Sequence, residues 1–389
     1  MRVGSHLSRL FGGLFFLGLF FFPGCDSTPT DVGADLLDPK GGEPVTITIP
    51  TSSFKNQNDP DITGGSGEVG ASRALAGVVN DPALGLIVAK GNIDFAPTVS
   101  RSDKFASTSL SLAELTLDLD YFYGDTLTTV TLLMSDIVDN WTALGVSADT
   151  SVQVGDPVME LQIEPRSQIL RFDLPEEWIL RNDVVLRSEN FLADFHGFQF
   201  TALSGNAVIG IHHRASTLKL AVPGDTAIFA MSKVLSLLEK TRLDPPEGKH
   251  LIQDGTDSRV EVNFDLGIDP LVGNLIHRSI FRITAGTPTL ETPFGFSRPE
   301  ITRLNLAFVT EDPKLRVLVA TARASEDGLF SFEDGLFTDI LKRVLLGSLN
   351  DAVFEISVPI SDATLDILLI QDTLSASPPR ALLTVTNIN

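Results

Sequence analysis

"LTLDLDY", Leu115–Tyr121, decides the fold class. Leu115, Leu117, Leu119 and Tyr121 alternate with Thr116, Asp118 and Asp120. Successive side chains of an extended strand point to opposite faces, so this spacing predicts a strand with one apolar and one wet side. Gly124-Asp125 then offers a tight turn into "TLTTVTLLM" (126–134), a hairpin signal. Period-two alternation recurs in "VEVNFDL" (260–266) and "TRLNLAF" (302–308), with shorter runs in "VTITI" (45–49), "STLKLAV" (216–222) and "ALLTVTN" (381–387). Polar outer faces between turn signals predict antiparallel sheets. The expected fold is mainly β: an antiparallel, jelly-roll-like β-sandwich domain, then a second β-rich domain with one or two short helices.

"LFTDILKRVLLGSL" (336–349) has the spacing of a helix, whereas "TAIFAMSKVLSLLEK" (226–240) fits helix and strand alike. Pro and Gly in "AVPGDT" (221–226) break the pattern after a completed strand, predicting a boundary between domains at 45–222 and 225–389. The pentapeptide "EDGLF" occurs at 326–330 and 333–337 and reads as two Asp-Gly turns, too short a unit for a repeat architecture.

The start of the chain reads as an export signal. Arg2, His6 and Arg9 precede an apolar and glycine run from Leu10 to Phe22, and the only cysteine is Cys25. The run is shorter than the ~20 residues a membrane-spanning helix needs. Basic start, short apolar stretch and cysteine together look like a bacterial lipoprotein signal over 1–24, with Cys25 carrying the lipid. Phe22 and Pro23 depart from the usual Leu and Ala or Ser, while Gly24 fits; an ordinary secretory signal or an uncleaved anchor is the other reading. Residues 25–44 hold Pro, Gly and four aspartates (26, 31, 35 and 38) and read as a flexible acidic tether. A chain of that length reaches about 25 Å.

Asp and Glu number 50 against 29 Lys and Arg, a net charge of −21; losing Arg2 and Arg9 with the signal makes it −23. Such a surface repels phosphate backbones, so no nucleic-acid partner is expected. Asp outnumbers Glu and Arg outnumbers Lys, a bias that fits solubility in high salt.

Four stretches resemble an uncharacterised family of Bacteroidota lipoproteins, the domain-of-unknown-function family forty-two seventy. They are "DVGADLLD" (31–38), "LAGVVNDPALGLIVAKGNIDFAP" (75–97), "FHGFQFTALSGNAVIGI" (195–211) and "LIQDGTDSRVEVNF" (251–264). The chain departs from the family pattern at Val79, where an aromatic is common, and at Gln253-Asp254-Gly255, where a Gln-Gly turn is usual. The resemblance implies an exported, lipid-anchored, β-rich protein and implies no reaction.

The residues themselves show no catalytic signature. In "NDPALG" (80–85), Asn80 and Asp81 can cap a turn, Pro82 presets φ and Gly85 supplies positive φ, so the segment reads as a corner; a cation on Asn80 and Asp81 is the alternative. His212-His213 ends an apparent strand, so the two rings are expected on opposite faces, unable to share a metal. Ser66 in "GGSGE" has the wrong spacing for a nucleophile elbow. Glu176-Glu177 reads as a solvated turn rather than a glycosidase pair. Tyr121, Trp141 and Trp178 read as core residues, and 25 Phe against 2 Trp and 2 Tyr point to buried rings rather than a sugar platform. No cofactor and no metal are expected. The expected role is a non-catalytic binding or structural module, anchored through its lipid to a membrane of the cell envelope, the outer one by expectation, with a protein or glycan partner. The alternative is a secreted glycan-active hydrolase.

Overall fold

A computed structural model describes residues 43–57, 72–82, 84–99, 101–143, 150–165, 167–242, 247–254, 259–264, 266, 274–286, 293–310, 315–349, 352–359 and 364–387. The leader (1–24), Cys25, the tether as far as residue 42 and Ser66 lie outside them. The first half of the chain runs β1 (Val45–Gln57), β2 (Arg73–Asp81), β3 (Gly85–Pro97), α1 (Asp103–Ser107), β4 (Leu112–Asp125), β5 (Val130–Ile137), β6 (Val154–Ile163), β7 (Ile169–Asp173), α2 (Glu176–Arg187), α3 (Phe191–Asp194), β8 (Phe198–Ser204), β9 (Ala207–Val222) and β10 (Asp225–Arg242). The second half runs β11 (Lys249–Gln253), β12 (Arg259–Phe264), β13 (Asn274–Gly286), β14 (Phe296–Ser297), β15 (Arg303–Val309), β16 (Arg316–Arg323), β17 (Leu329–Glu333), α4 (Gly335–Leu345), β18 (Val353–Ser357), β19 (Ile367–Gln371) and β20 (Arg380–Asn387). The protein is mainly β, with two antiparallel sheets, as the alternation predicts.

One sheet is ordered β14-β4-β9-β10-β3-β8-β5-β6, with β2 bridging β3 and β9 and β7 beside β4. The other is ordered β11-β19-β13-β20-β1-β12-β18-β15-β16, with β17 beside β13. In the first sheet β2 bridges β3 and β9, while β6, β7 and β14 each pair on one side only. The second returns on itself, the Ala324–Phe330 bridge joining β16 to β17, which pairs with β13; that return covers strand edges that would otherwise invite pairing with other chains. Each lobe encloses phenylalanines. Phe95, Phe191, Phe195, Phe198 and Phe229 pack with Trp178 in the first; Phe264, Phe281, Phe332, Phe337 and Phe354 pack together in the second. Each fully buried ring contributes about 1.5–3 kcal/mol.

The division of the chain differs from the expected one. The Pro223-Gly224 break at 221–226 is the tight turn of the β9–β10 hairpin, with Asp225 opposite Val222 and Gly224 at φ +81°. Pro and Gly encode a turn, but a turn does not say whether the chain leaves the sheet. The passage to the second lobe follows β10 instead. β1, expected at the head of the first domain, lies inside the second sheet, with Val45 opposite Val385 and Thr51 opposite Phe264.

Three local readings change as well. β4 and β5 form no hairpin: β4 pairs with β7, β9 and β14, and β5 with β6 and β8. Gly124 belongs to β4, where any Cβ would lie 2.3 Å from the Asn206 carbonyl oxygen. The undecided 226–240 segment is strand β10. A bulge between Met231 and Lys233 breaks the alternation of Ala227, Phe229 and Met231, and beyond it Val234, Leu235, Ser236 and Leu238 are all buried, so the 231–234–235–238 spacing imitates a helical period. The second "EDGLF" starts α4, with the Asp334 carboxylate accepting from the Leu336 N–H at 2.8 Å, while the first makes a turn with Gly328 at φ +70°. Helix α4 lies within the predicted 336–349 span but for its first residue. Glu176 and Glu177 open α2 rather than a turn, with both side chains exposed. No helix among the described residues is long and apolar enough to cross a membrane.

Candidate functional site

Two bulges build the site. In β4 the register against β9 shifts between Leu119 and Tyr121. Leu115, Leu117 and Leu119 stay in the first-lobe core with Phe122, while Tyr121 and Tyr123 turn to the opposite side. Tyr121 therefore leaves the face that period-two reading gives it. In β9 the ladder to β4 jumps from Thr217 opposite Thr116 to His212 opposite Asp118, leaving 213–216 out of register. Ser216 stitches this gap. Its hydroxyl donates to the His212 carbonyl at 2.6 Å and accepts from the Asp118 N–H at 2.9 Å.

The disturbed stretch opens onto a cleft of about 560 Å³, lined by Asp118, Asp120, Glu164, His212 and Arg214 with apolar walls from Ile163 and Ile169. That volume lies in the usual range for small-ligand sites. The His212 ring sits between two carboxylates, Nδ1 at 3.9 Å from Asp118 and Nε2 at 3.8 Å from Asp120. Its Nδ1 accepts from the Arg214 backbone N–H at 2.9 Å, so the neutral ring carries its proton on Nε2. Burial lowers the His212 pKa, outweighing the pull of Asp120 and Asp118. Asp120 in turn is gripped by Arg73 through two bonds of 2.6 and 2.7 Å.

His212 and His213 are not on opposite faces. The bulge breaks the alternation, and the rings stack with centroids 4.9 Å apart and planes 15° apart. His213 Nδ1 lies 3.0 Å from the Ser72 carbonyl oxygen and donates to it. No group of three or more His, Cys, Asp or Glu among the described residues is placed to hold a metal. Trp141 and Trp178 are buried as expected, their indole N–H groups donating to the His196 carbonyl at 2.8 Å and to Asp136 at 2.7 Å.

Behind the cleft runs the seam between the lobes. Strand β14, from the second half of the chain, pairs with β4 at Asp125 and Gly124. Leu84, at the β2–β3 corner, enters an apolar cluster with Leu251, Ile367 and Leu369, and Leu365 packs against Leu75, Val79 and Tyr123. The corner has the predicted form, with Gly85 at φ +97° and Asp81 accepting from the Leu84 N–H at 3.2 Å. Asp81 does more than cap. Its buried carboxylate takes two bonds of 2.8 Å from Arg298 and one of 2.5 Å from the Tyr123 hydroxyl. The cation at this corner is a guanidinium from the other lobe. The Asn80 N–H donates to the Asn206 side-chain oxygen at 2.6 Å.

A second polar group lies beside Tyr121, whose hydroxyl accepts from the Leu365 N–H at 3.0 Å. Burial and the Asp366 carboxylate hold this hydroxyl far above its usual pKa, so it stays protonated. Asp254, just after β11, accepts from the Thr364 N–H at 3.1 Å and its hydroxyl at 2.7 Å. Asp118, Asp120, Arg73, Arg298 and Asp366 escape sequence reading. The adjacent "LDLD" and "HH" are visible, but their meeting depends on the register between β4 and β9.

No family model matches the chain, and no curated protein matches it. The stretches 75–97 and 195–211 are neighbours in space. Residues 75–97 supply β2 and β3, residues 195–211 supply β8 and the start of β9, and β2 pairs with β9 as β3 pairs with β8.

Proposed function

We propose that this chain is an exported envelope protein, tethered by lipid on Cys25, that binds a polar ligand in the Asp118–His212 cleft and performs no chemistry on it. The observation that carries the binding reading is the saturation of the cleft's one imidazole. With Nδ1 occupied by the Arg214 N–H and Nε2 already protonated, neutral His212 can donate a hydrogen bond but cannot abstract a proton. Asp120 is likewise held by Arg73. What remains is a fixed set of donors and acceptors in an open trough, suited to the hydroxyls of a glycan. The lipid tether rests on the position of Cys25 directly after an apolar leader, and kinship with the lipoprotein family on the quoted stretches.

Co-sedimentation with insoluble peptidoglycan, alongside measurement of released reducing sugar, tests the cleft. Binding without product, weakened in Asp118→Asn and Arg214→Ala, is the expected result; product release lost in Asp118→Asn establishes the hydrolase, and no difference between variants and parent removes the cleft from the reading. Labelling with radioactive palmitate, absent in Cys25→Ser and retained on a larger uncut precursor under globomycin, tests the anchor.

A further inference from the structure

We infer that the cleft is built for a secondary amide: it takes a glycan bearing N-acetyl groups, with the acetamide carbonyl on His212, its N–H on Asp118 and its methyl group on the Ile163–Ile169 wall. The inference rests on the glycan-binding reading of the same cleft and narrows its ligand. His212 lines the cleft with a side chain only 9% exposed. Its Nε2–H has no hydrogen-bond partner among the described residues, because Asp120 Oδ2 at 3.8 Å lies beyond hydrogen-bonding reach. A buried donor left unpaired is costly, so the ligand must bring an acceptor. Asp118 makes the converse demand. The nearest ring atom, His212 Nδ1 at 3.9 Å, already accepts from the Arg214 N–H, so no hydrogen bond from the described residues reaches the Asp118 carboxylate. The ligand must bring a donor there. Beside these polar groups Ile169 is 54% exposed, and with Ile163 it gives the cleft apolar surface to cover.

Other glycan substituents meet only part of this. A hydroxyl accepts and donates but brings no apolar carbon of its own. A free ammonium satisfies Asp118, leaves the Nε2–H unpaired and is repelled by Arg214 in the same cleft. A carboxylate accepts from Nε2–H but meets Asp118, Asp120 and Glu164. An acetamide is neutral and planar and carries acceptor, donor and methyl group in one rigid unit. A site whose polar groups need both a donor and an acceptor discriminates against analogues that lack one of them, because its own groups are then left unpaired.

Calorimetric titration of the full chain with chitotetraose, its fully de-acetylated form and cellotetraose, all β-1,4-linked, tests the ligand class. The N-acetylated tetramer is expected to bind about tenfold more tightly than either of the others, the worth of one added hydrogen bond. His212→Phe, which keeps a flat ring but has no donor, and Ile169→Ser are each expected to bring chitotetraose down towards cellotetraose. Equal affinity for those two sugars, or tighter binding of the de-acetylated form, overturns the acetamide and leaves the cleft a glycan site; binding of none of the three overturns both readings. Nitrogen-15 NMR of His212 gives a check independent of any variant. An Nε2–H resonance that shifts and exchanges more slowly with water on adding chitotetraose supports the inference, and one unchanged in saturating sugar overturns it.

Discussion

Replacing Arg298 by alanine strips a buried carboxylate of its counter-ion. The Asp81 side chain is 0% exposed and that of Arg298 is 4% exposed, with two bonds of 2.8 Å between them. Breaking one side of such a pair costs about 3–5 kcal/mol, because the remaining charge stays out of water. A second route gives a similar figure. Without Arg298, Asp81 can escape ionisation by taking up a proton, and doing so at pH 7 from an ordinary value of about 3.9 costs roughly 4 kcal/mol. The loss is thus capped near 4 kcal/mol at pH 7 and shrinks by about 1.4 kcal/mol for each pH unit below it. Arg298→Ala with Asp81→Asn should recover most of the loss, since asparagine carries no charge to leave behind. Urea denaturation of the parent, both single variants and the double variant at pH 7 and pH 5 measures the cycle. A loss under about 1 kcal/mol at pH 7, or one unchanged at pH 5, refutes the claim that a desolvated ion pair fastens the lobes.

Gly124→Ala should destabilise by at least about 2 kcal/mol, because the added Cβ meets the Asn206 carbonyl at 2.3 Å with φ at +128°; thermal denaturation checks it. Gly335→Ala, at the start of α4 with nothing within 4 Å, should instead gain up to about 1 kcal/mol. Phe337→Ala empties the ring cluster of the second lobe and should cost about 3–5 kcal/mol in urea unfolding. Asp334→Ala removes the α4 cap, with an expected loss of about 1 kcal/mol by the same assay.

Elements whose evidence is local are legible in the chain. The strands at Leu115–Leu119, Val260–Phe264 and Leu382–Thr386 follow from alternation, and α4 follows from its apolar spacing. Reading fails where a bulge resets the phase, because one extra residue moves every later side chain to the other face. That single effect hides β10 as a strand, turns Tyr121 from core to seam and brings His212 beside His213. The cleft is illegible for a related reason: Asp118 and His212 are ordinary outer-face residues until β9 is laid against β4.

By itself, then, the sequence determined the fold class, the acidic surface and the turn chemistry of the Asp81–Gly85 corner, since these depend on residues near one another or on bulk composition. Tertiary structure alone decided which strands share a sheet, why Val45 lies opposite Val385, and which buried acids meet which cations. Hydrogen bonding between strands is nearly indifferent to side-chain identity. The choice among possible partners is therefore made by the burial of whole faces, a property of the assembled core that no short window of sequence contains.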